Sequence, residues 1–285
     1  DNSERLLRYA KLLTNLINRE IPVPNVYAVD ESAGIMLMED VGSLSIYNWY
    51  RATNDPEPHL RAVSVLTKIH QLGDVPGRVE VEFDLPDLLF ETNYFTRHFL
   101  IGYCNFPESI QDALSSEFYR LAKIVSLSPK GLMHRDFQSQ NIFIVPGAVR
   151  VVDFQGARRG FIGYDLASLV EDPYLNLPES IGKIIISHYL TKSELSLDEK
   201  KKLLDLYPFI AIQRLLQATA AYAYLSRVEG KWQFERFIIP ASERILKLLA
   251  KRNFFPTLNN VLEEVLFRAK FEMQSRYPTQ TRRFV

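Results

Sequence analysis

The stretch from His134 to Asp153 limits what this chain can fold into more than any other part of it. His134-Arg-Asp136 is followed five positions after the Asp by Asn141, and twelve positions further on by Asp153-Phe-Gln155. Between them, Ile142-Phe-Ile-Val145 and Ala148-Val-Arg-Val-Val152 read as two short strands around the turn Pro146-Gly147. A hairpin closes its own ends, so Asn141 and Asp153 are expected side by side with Asp136 just ahead of them. Three polar groups then surround one point. One can accept or orient an attacking hydroxyl, and two oxygen ligands can hold Mg²⁺ on nucleotide phosphates, as phosphoryl transfer requires. An Asp after His-Arg means little alone, and so does Asp-Phe-Gln. Residue types, order, spacing and an intervening hairpin together are far more selective.

The totals exclude several other classes. Thirty-four basic residues balance 34 acidic ones, so no net charge points to nucleic acid or an anionic membrane as partner. Hydrophobic residues make up 47% and charged residues 24%, the mixture of an ordinary globular chain. No run approaches the roughly 18 apolar residues of a membrane span, and no signal-peptide pattern opens the chain. Cys104 has no second cysteine to pair with, which fits a reducing compartment. A soluble cytoplasmic protein with a small-molecule partner is the expectation.

Along the chain, Leu6, Leu7, Ala10, Leu13, Leu16 and Ile17 form a helical stripe behind Ser3, and Ile21-Pro-Val-Pro24 stops it. Val26–Val29 and Ile35–Met38 read as strands around Glu31-Ser-Ala-Gly34, and Glu39-Asp-Val-Gly42 as a connector. Helices are predicted over about 44–52, 57–72, 90–102, 107–126, 165–171, 178–191, 197–228 with a break near Pro208, 234–251 and 257–273. Arg276–Val285 reads as a basic, solvated tail. The order of elements suggests an α+β, protein-kinase-like fold. Residues 1–40 would be a truncated remnant of the N-terminal lobe, and 41–285 a mainly helical C-terminal lobe carrying the catalytic hairpin.

His134-Arg-Asp-Phe-Gln-Ser-Gln-Asn141, Val152-Asp-Phe-Gln155 and Gly163-Tyr-Asp-Leu-Ala-Ser-Leu169 resemble the aminoglycoside phosphotransferase and choline kinase superfamily. Protein kinases carry a related set, H-R-D-x-x-x-x-N and D-F-G. Within the superfamily, the Gly160–Leu166 run, Gln213-Arg214, Gly230-Lys231 and the connector Leu37–Gly42 look most like bacterial anomeric amino-sugar kinases. Those enzymes phosphorylate N-acetylmuramate or N-acetylglucosamine at C1 in cell-wall recycling. The resemblance implies ATP and Mg²⁺ as cofactors, with Asp136 receiving the acceptor's proton and Asn141 and Asp153 holding the metal. It implies a nucleotide base against the connector, with Met38 behind the pocket and the Glu39 carbonyl and Val41 N–H as adenine contacts. Gln138, Gln155, Asp172 and Arg214 are candidates for acceptor recognition.

The family pattern also has three strands, a phosphate-covering loop and a Lys ahead of the first helix, and the sequence as given shows none of these before Ser3. A nucleotide-binding pseudokinase is therefore an alternative, as is a choline, aminoglycoside or homoserine-type kinase. His134 is expected to pack under the loop. Asp165 is expected either to pair with Arg135 or to cap a helix starting at Leu166. His70 is expected to be core.

Overall fold

The computed structural model describes residues 2–250 and 254–276; of the basic tail expected over Arg276–Val285, Arg276 is the last residue of a helix and 277–285 lie outside the described residues. Helix α1 spans Asn2–Ile17, strands β1 and β2 span Val26–Asp30 and Ile35–Met38, and α2 and α3 span Ile46–Thr53 and Glu57–Gln71. Helix α4 (Leu85–Phe95) runs into a π-helical turn, Thr96–Ile101, and α5 covers Ile110–Val125. Then come β3 (Lys130–Met133), β4 (Ile142–Val145), β5 (Ala148–Val151), β6 (Arg158–Phe161), α6 (Ile162–Val170), α7 (Glu179–Lys192), α8 (Leu197–Arg227), α9 (Ile238–Leu249) and α10 (Pro256–Arg276). The strands form three antiparallel pairs, β1 with β2, β3 with β6 and β4 with β5.

The chain divides into two compact units, one of residues 1–84 and 127–207, the other of residues 85–126 and 208–285. In the first, α1 buries Leu12, Leu13 and Leu16 and ends where Glu20 turns left-handed (φ 57°) ahead of the Pro-rich run. Ser45 caps α2 by accepting from Asn48 N at 3.2 Å, and Asn54 ends it at φ 56°. In the second unit, Glu117 on α5 caps α10 from a distance, accepting from Thr257 N at 3.0 Å and Leu258 N at 2.8 Å. Gln213 ties α8 to α4 by donating to Leu88 O at 3.0 Å and Glu91 Oε2 at 3.1 Å.

The pair β3–β6 positions the site, and it places Gly131 opposite Gly160. A Cβ on Gly131 would lie 2.5 Å from the His70 carbonyl oxygen and 2.8 Å from Ile162 Cγ2. Glycine here lets the C-terminal end of α3 and the start of α6 close on the strand. That approach brings His70 and Asp165 together. Neither strand was anticipated, because each is four residues long, contains glycine, and pairs with a segment far away in sequence. Two helices also differ from expectation. Helix α6 begins at Ile162, so Asp165 sits inside its first turn and does not cap a helix beginning at Leu166. Helix α8 runs unbroken through Pro208. The ring removes one N–H from the ladder, and the helix continues with Tyr207, Phe209 and Ile210 buried on either side.

His59 on α3 is fully buried against the edge of the Tyr50 ring, 5.4 Å between centroids, and neither ring nitrogen has a hydrogen-bond partner among the described residues. Burial pushes its pKa down to about 4, with the charge of Asp55 opposing. The unfolded chain binds a proton that the folded ring refuses. The contribution is therefore fully present above the unfolded pKa near 6.5 and is lost as pH falls toward 4, a loss of up to ~3 kcal/mol. His59→Phe should flatten the decline in urea stability between pH 6.5 and pH 4 relative to the parent chain. An unchanged slope would place the acid sensitivity elsewhere.

Candidate active site

Strand β3 delivers the chain to His134, and the loop that follows hangs from one carboxylate. Asp165 is fully buried; its Oδ2 accepts from His134 N at 2.6 Å and its Oδ1 from Arg135 N at 2.8 Å. His70 Nε2 lies 3.2 Å from the same Oδ2. With a carboxylate facing it, Nε2 carries the hydrogen in the neutral ring, and Nδ1 accepts from the Tyr189 hydroxyl at 2.8 Å. Burial and then the charge of Asp165 raise the Tyr189 pKa, so the phenol remains a donor. Asp165 thus does lie behind the loop, but it meets the Arg135 backbone and not the guanidinium. The guanidinium carbon sits 5.1 Å from the centre of the Phe83 ring, and its Nε is buried without a partner among the described residues.

Arg135 and Asp153 both adopt left-handed backbone, at φ 78° and 73°. For residues with a Cβ this costs on the order of 1–2 kcal/mol each, so the surroundings must impose it. His134 does so from inside. Its Nδ1 accepts from Asp136 N at 3.1 Å, its Nε2 donates to Val152 O at 2.8 Å, and its ring stands edge-on to Phe154 at 4.3 Å. It is buried and packs under the loop. Tyr9 on α1 braces the other side. Burial raises its pKa, hydrogen bonds from the Phe154 and Asp153 backbone oppose this, and the Asp153 charge adds to the rise.

The hairpin β4–β5 pairs Ile142 with Val151 and Val145 with Ala148, and Val152 N donates to Asn141 O at 3.0 Å to close its base. Asn141 Nδ2 donates to the Asp136 carbonyl at 3.0 Å and stands 3.4 Å from Asp153 Oδ2. One amide therefore joins the main chain of Asp136 to the carboxylate of Asp153. The Asn141 amide and the Asp153 carboxylate thus meet at the base of the hairpin through Nδ2, and among the described residues Oδ1 makes no hydrogen bond.

The remaining candidates are placed as follows. Gln138 is half-buried and structures the loop, donating from N to Asp136 O and accepting from Asn141 N, both at 2.9 Å. Gln155 is exposed in the 3₁₀ turn that follows Asp153. Asp172 is buried and accepts from Ser139 N at 2.9 Å, Ser139 Oγ at 2.5 Å and Tyr174 N at 2.9 Å, which makes it a strut under the loop. Arg214 belongs to the second unit, where its Nη1 donates to Gln217 Oε1 at 2.5 Å. Met38 ends β2 and is half-buried. Neither the Glu39 carbonyl nor the Val41 N–H has a hydrogen-bond partner among the described residues. The supporting residues Tyr9, Ser139 and Tyr189 were not singled out in the sequence, because an isolated aromatic or serine carries no local signature.

Residues 1–196 match the family described as the phosphotransferase enzyme family, APH. This chain belongs to that family. An N-acetylmuramate/N-acetylglucosamine kinase of Pseudomonas aeruginosa is 23% identical over 237 residues, which is 78% of this chain and 67% of the relative. One of Neisseria meningitidis serogroup B is 24% identical over 245 residues, 81% of this chain and 72% of the relative. Among solved structures, a choline/ethanolamine kinase family protein of Mesorhizobium loti superposes with a TM-score of 0.63 at 15% identity, covering 91% of this chain and 85% of its own. An ADP-bound aminoglycoside phosphotransferase, APH(2'')-Ib, does so at 0.57 and 13%, covering 85% and 84%. The fold is thus the kinase-like α+β fold, mainly helical. The chain is a small-molecule kinase, a phosphotransferase with an alcohol group as acceptor.

In this phosphotransferase Asp165 is the support whose loss should be felt most. Asp165→Asn turns one of the two side-chain oxygens that accept from the loop amides into a donor and leaves a buried N–H unpaired, at a cost of about 1–3 kcal/mol. Urea unfolding should show that loss together with a fall in turnover. An unchanged midpoint would mean that the loop is held by other contacts.

Proposed function

We propose that this chain transfers the γ-phosphoryl group of ATP, with Mg²⁺, to a hydroxyl of a sugar or amino sugar, the anomeric hydroxyl being the leading candidate. The observation that carries the reading is the closure of the β4–β5 hairpin, which sets Asn141 Nδ2 3.0 Å from the Asp136 carbonyl and 3.4 Å from Asp153 Oδ2. Asp136 accepts the hydrogen bond of the acceptor hydroxyl and takes its proton late, because the transition state of phosphoryl transfer is loose and rewards positioning over basicity.

The donors at the hairpin base suit magnesium. Among the described residues no group of three or more His, Cys, Asp or Glu is placed to hold a metal. Mg²⁺ does not need one, since it is commonly bound through one or two protein oxygens with phosphates and water completing its shell. Asn141 Oδ1 and the Asp153 carboxylate are the residues that would hold it. When bound, the ion neutralises charge on the phosphate oxygens. The open Glu39 carbonyl and Val41 N–H provide one acceptor and one donor for the adenine edge, with Met38 behind them.

Two observations favour a sugar over a cationic acceptor. The curated relatives named above are N-acetylmuramate/N-acetylglucosamine kinases. Glu171 and Asp172, the carboxylates that follow α6, are both buried; Glu171 accepts from Tyr207 Oη at 3.1 Å and Asp172 supports Ser139. They do not build the acidic wall that a quaternary ammonium would call for. Asp172 acts from beneath the loop, and Gln138 and Gln155, two positions after Asp136 and Asp153 respectively, remain the candidate amides for the acceptor.

A coupled ADP-release screen against amino sugars, neutral sugars, choline, homoserine and aminoglycosides tests the acceptor class. Turnover on a cationic acceptor alone would overturn the sugar assignment. With the active acceptor in hand, Asp136→Asn should lower kcat by about 10² to 10⁴ while leaving nucleotide affinity nearly intact. Unchanged turnover would remove Asp136 from the mechanism.

A further inference from the structure

The connector that carries the base contacts is bonded to the hairpin that carries the metal ligands, and a side-chain pair completes the join. Both flanks of the hairpin are held by backbone hydrogen bonds. Ile144 N donates to Leu44 O at 2.8 Å on the β4 side, where Ser45 also bridges Phe143. Val151 N donates to Pro22 O at 2.9 Å on the β5 side. Between these flanks stands Glu39, the first residue past β2.

The Glu39 carboxylate accepts from Asn25 N at 3.0 Å, from Asn25 Nδ2 at 2.8 Å and from Arg150 Nε at 3.2 Å. The Glu39 and Arg150 side chains are only 19% and 25% exposed, so water screens the pair less than a surface ion pair. Glu39 N in turn donates to Asn25 O at 2.8 Å. Residue 39 is therefore pinned at its backbone and at its side chain, while its carbonyl is left open. Arg150 sits on β5, opposite Phe143 and three positions before Asp153. A displacement of that strand moves Asp153 and pulls on the peptide plane that presents the Glu39 carbonyl.

We propose that Glu39 and Arg150 form a latch that sets the nucleotide's base contacts in register with the metal-binding pair, so that both are positioning residues for the nucleotide. This rests on the nucleotide reading given above. Among the described residues Arg150 bonds Glu39 and not Asp136, Asn141 or Asp153, so loss of the latch is expected to fall on the KM for ATP more than on kcat. Arg150→Met removes the charge and the donor while keeping much of the aliphatic stem. Arg150→Lys restores a cation able to reach the same carboxylate.

The experiment is steady-state kinetics of the full chain and these two variants with ATP varied at saturating acceptor, then with acceptor varied at saturating ATP, alongside thermal unfolding. Arg150→Met should raise the KM for ATP about tenfold, the scale of one charge-assisted hydrogen bond, with kcat and the acceptor KM changed by less than about twofold. Arg150→Lys should recover most of the loss. An unchanged KM for ATP would sink the latch and leave the kinase reading intact. Parallel loss of kcat and of both KM values with a lowered melting temperature, or no recovery in the Lys variant, would show a purely structural pair. If Arg150→Met does not fold, Glu39→Gln provides the same test, with its KM for ATP expected to rise and the acceptor KM to hold. A parent chain that binds no ATP in calorimetry would instead count against the functional reading beneath the proposal.

Discussion

Asp165 offers two oxygens to three donors from separate parts of the chain: the His134 and Arg135 amides at the head of the loop, and the His70 ring at the end of α3. A fully buried carboxylate is costly unless donors of good geometry answer it. Here the donors answer it, and in doing so they force Arg135 into left-handed backbone that it would not choose alone. The rest of the site follows from that anchoring. Once His134 is placed, its two ring nitrogens join the Asp136 amide to the Val152 carbonyl, so the loop and the outgoing strand of the hairpin are set relative to each other.

Around this anchor the molecule arranges support on each side of Asp136, Asn141 and Asp153. Asp172 fixes Ser139 ahead of Asn141, Tyr9 braces Asp153 and Phe154, and the flanks of the connector bond to β4 and β5. Few of these contacts touch the groups assigned to chemistry. They fix where those groups stand. Such rigidity suits a reaction in which the protein gains more from pre-set geometry and electrostatics than from bond-making of its own.

The hairpin was legible in the sequence because its signals are local: β-branched runs, a Pro-Gly turn, and polar residues at its two ends. The early helix, the β1–β2 pair and the connector were legible for the same reason. Strands β3 and β6 were not, since their evidence is a pairing across a long stretch of chain and a glycine opposite a glycine. Helix continuity through Pro208 was misread because the ring's local penalty is visible in sequence, whereas the burial of the residues around it is not. At the site, residue types and spacing pointed to Asp136, Asn141 and Asp153 as neighbours. They did not reveal that Asp165 would bind amides instead of a guanidinium, or that His70, expected as core, would be core and also hydrogen-bonded to the anchor. Those are properties of where side chains end up after packing.

The account depends on Asn141 and Asp153 forming one magnesium-dependent nucleotide site at the base of the hairpin. Calorimetry of ADP binding to Asp153→Ala, with magnesium and with chelator, tests this most directly. The parent chain should bind ADP more tightly with magnesium than with chelator, and the variant should lose that difference while keeping its fold. A variant that still binds nucleotide in a magnesium-dependent way would show that the ion is held elsewhere and would contradict the account.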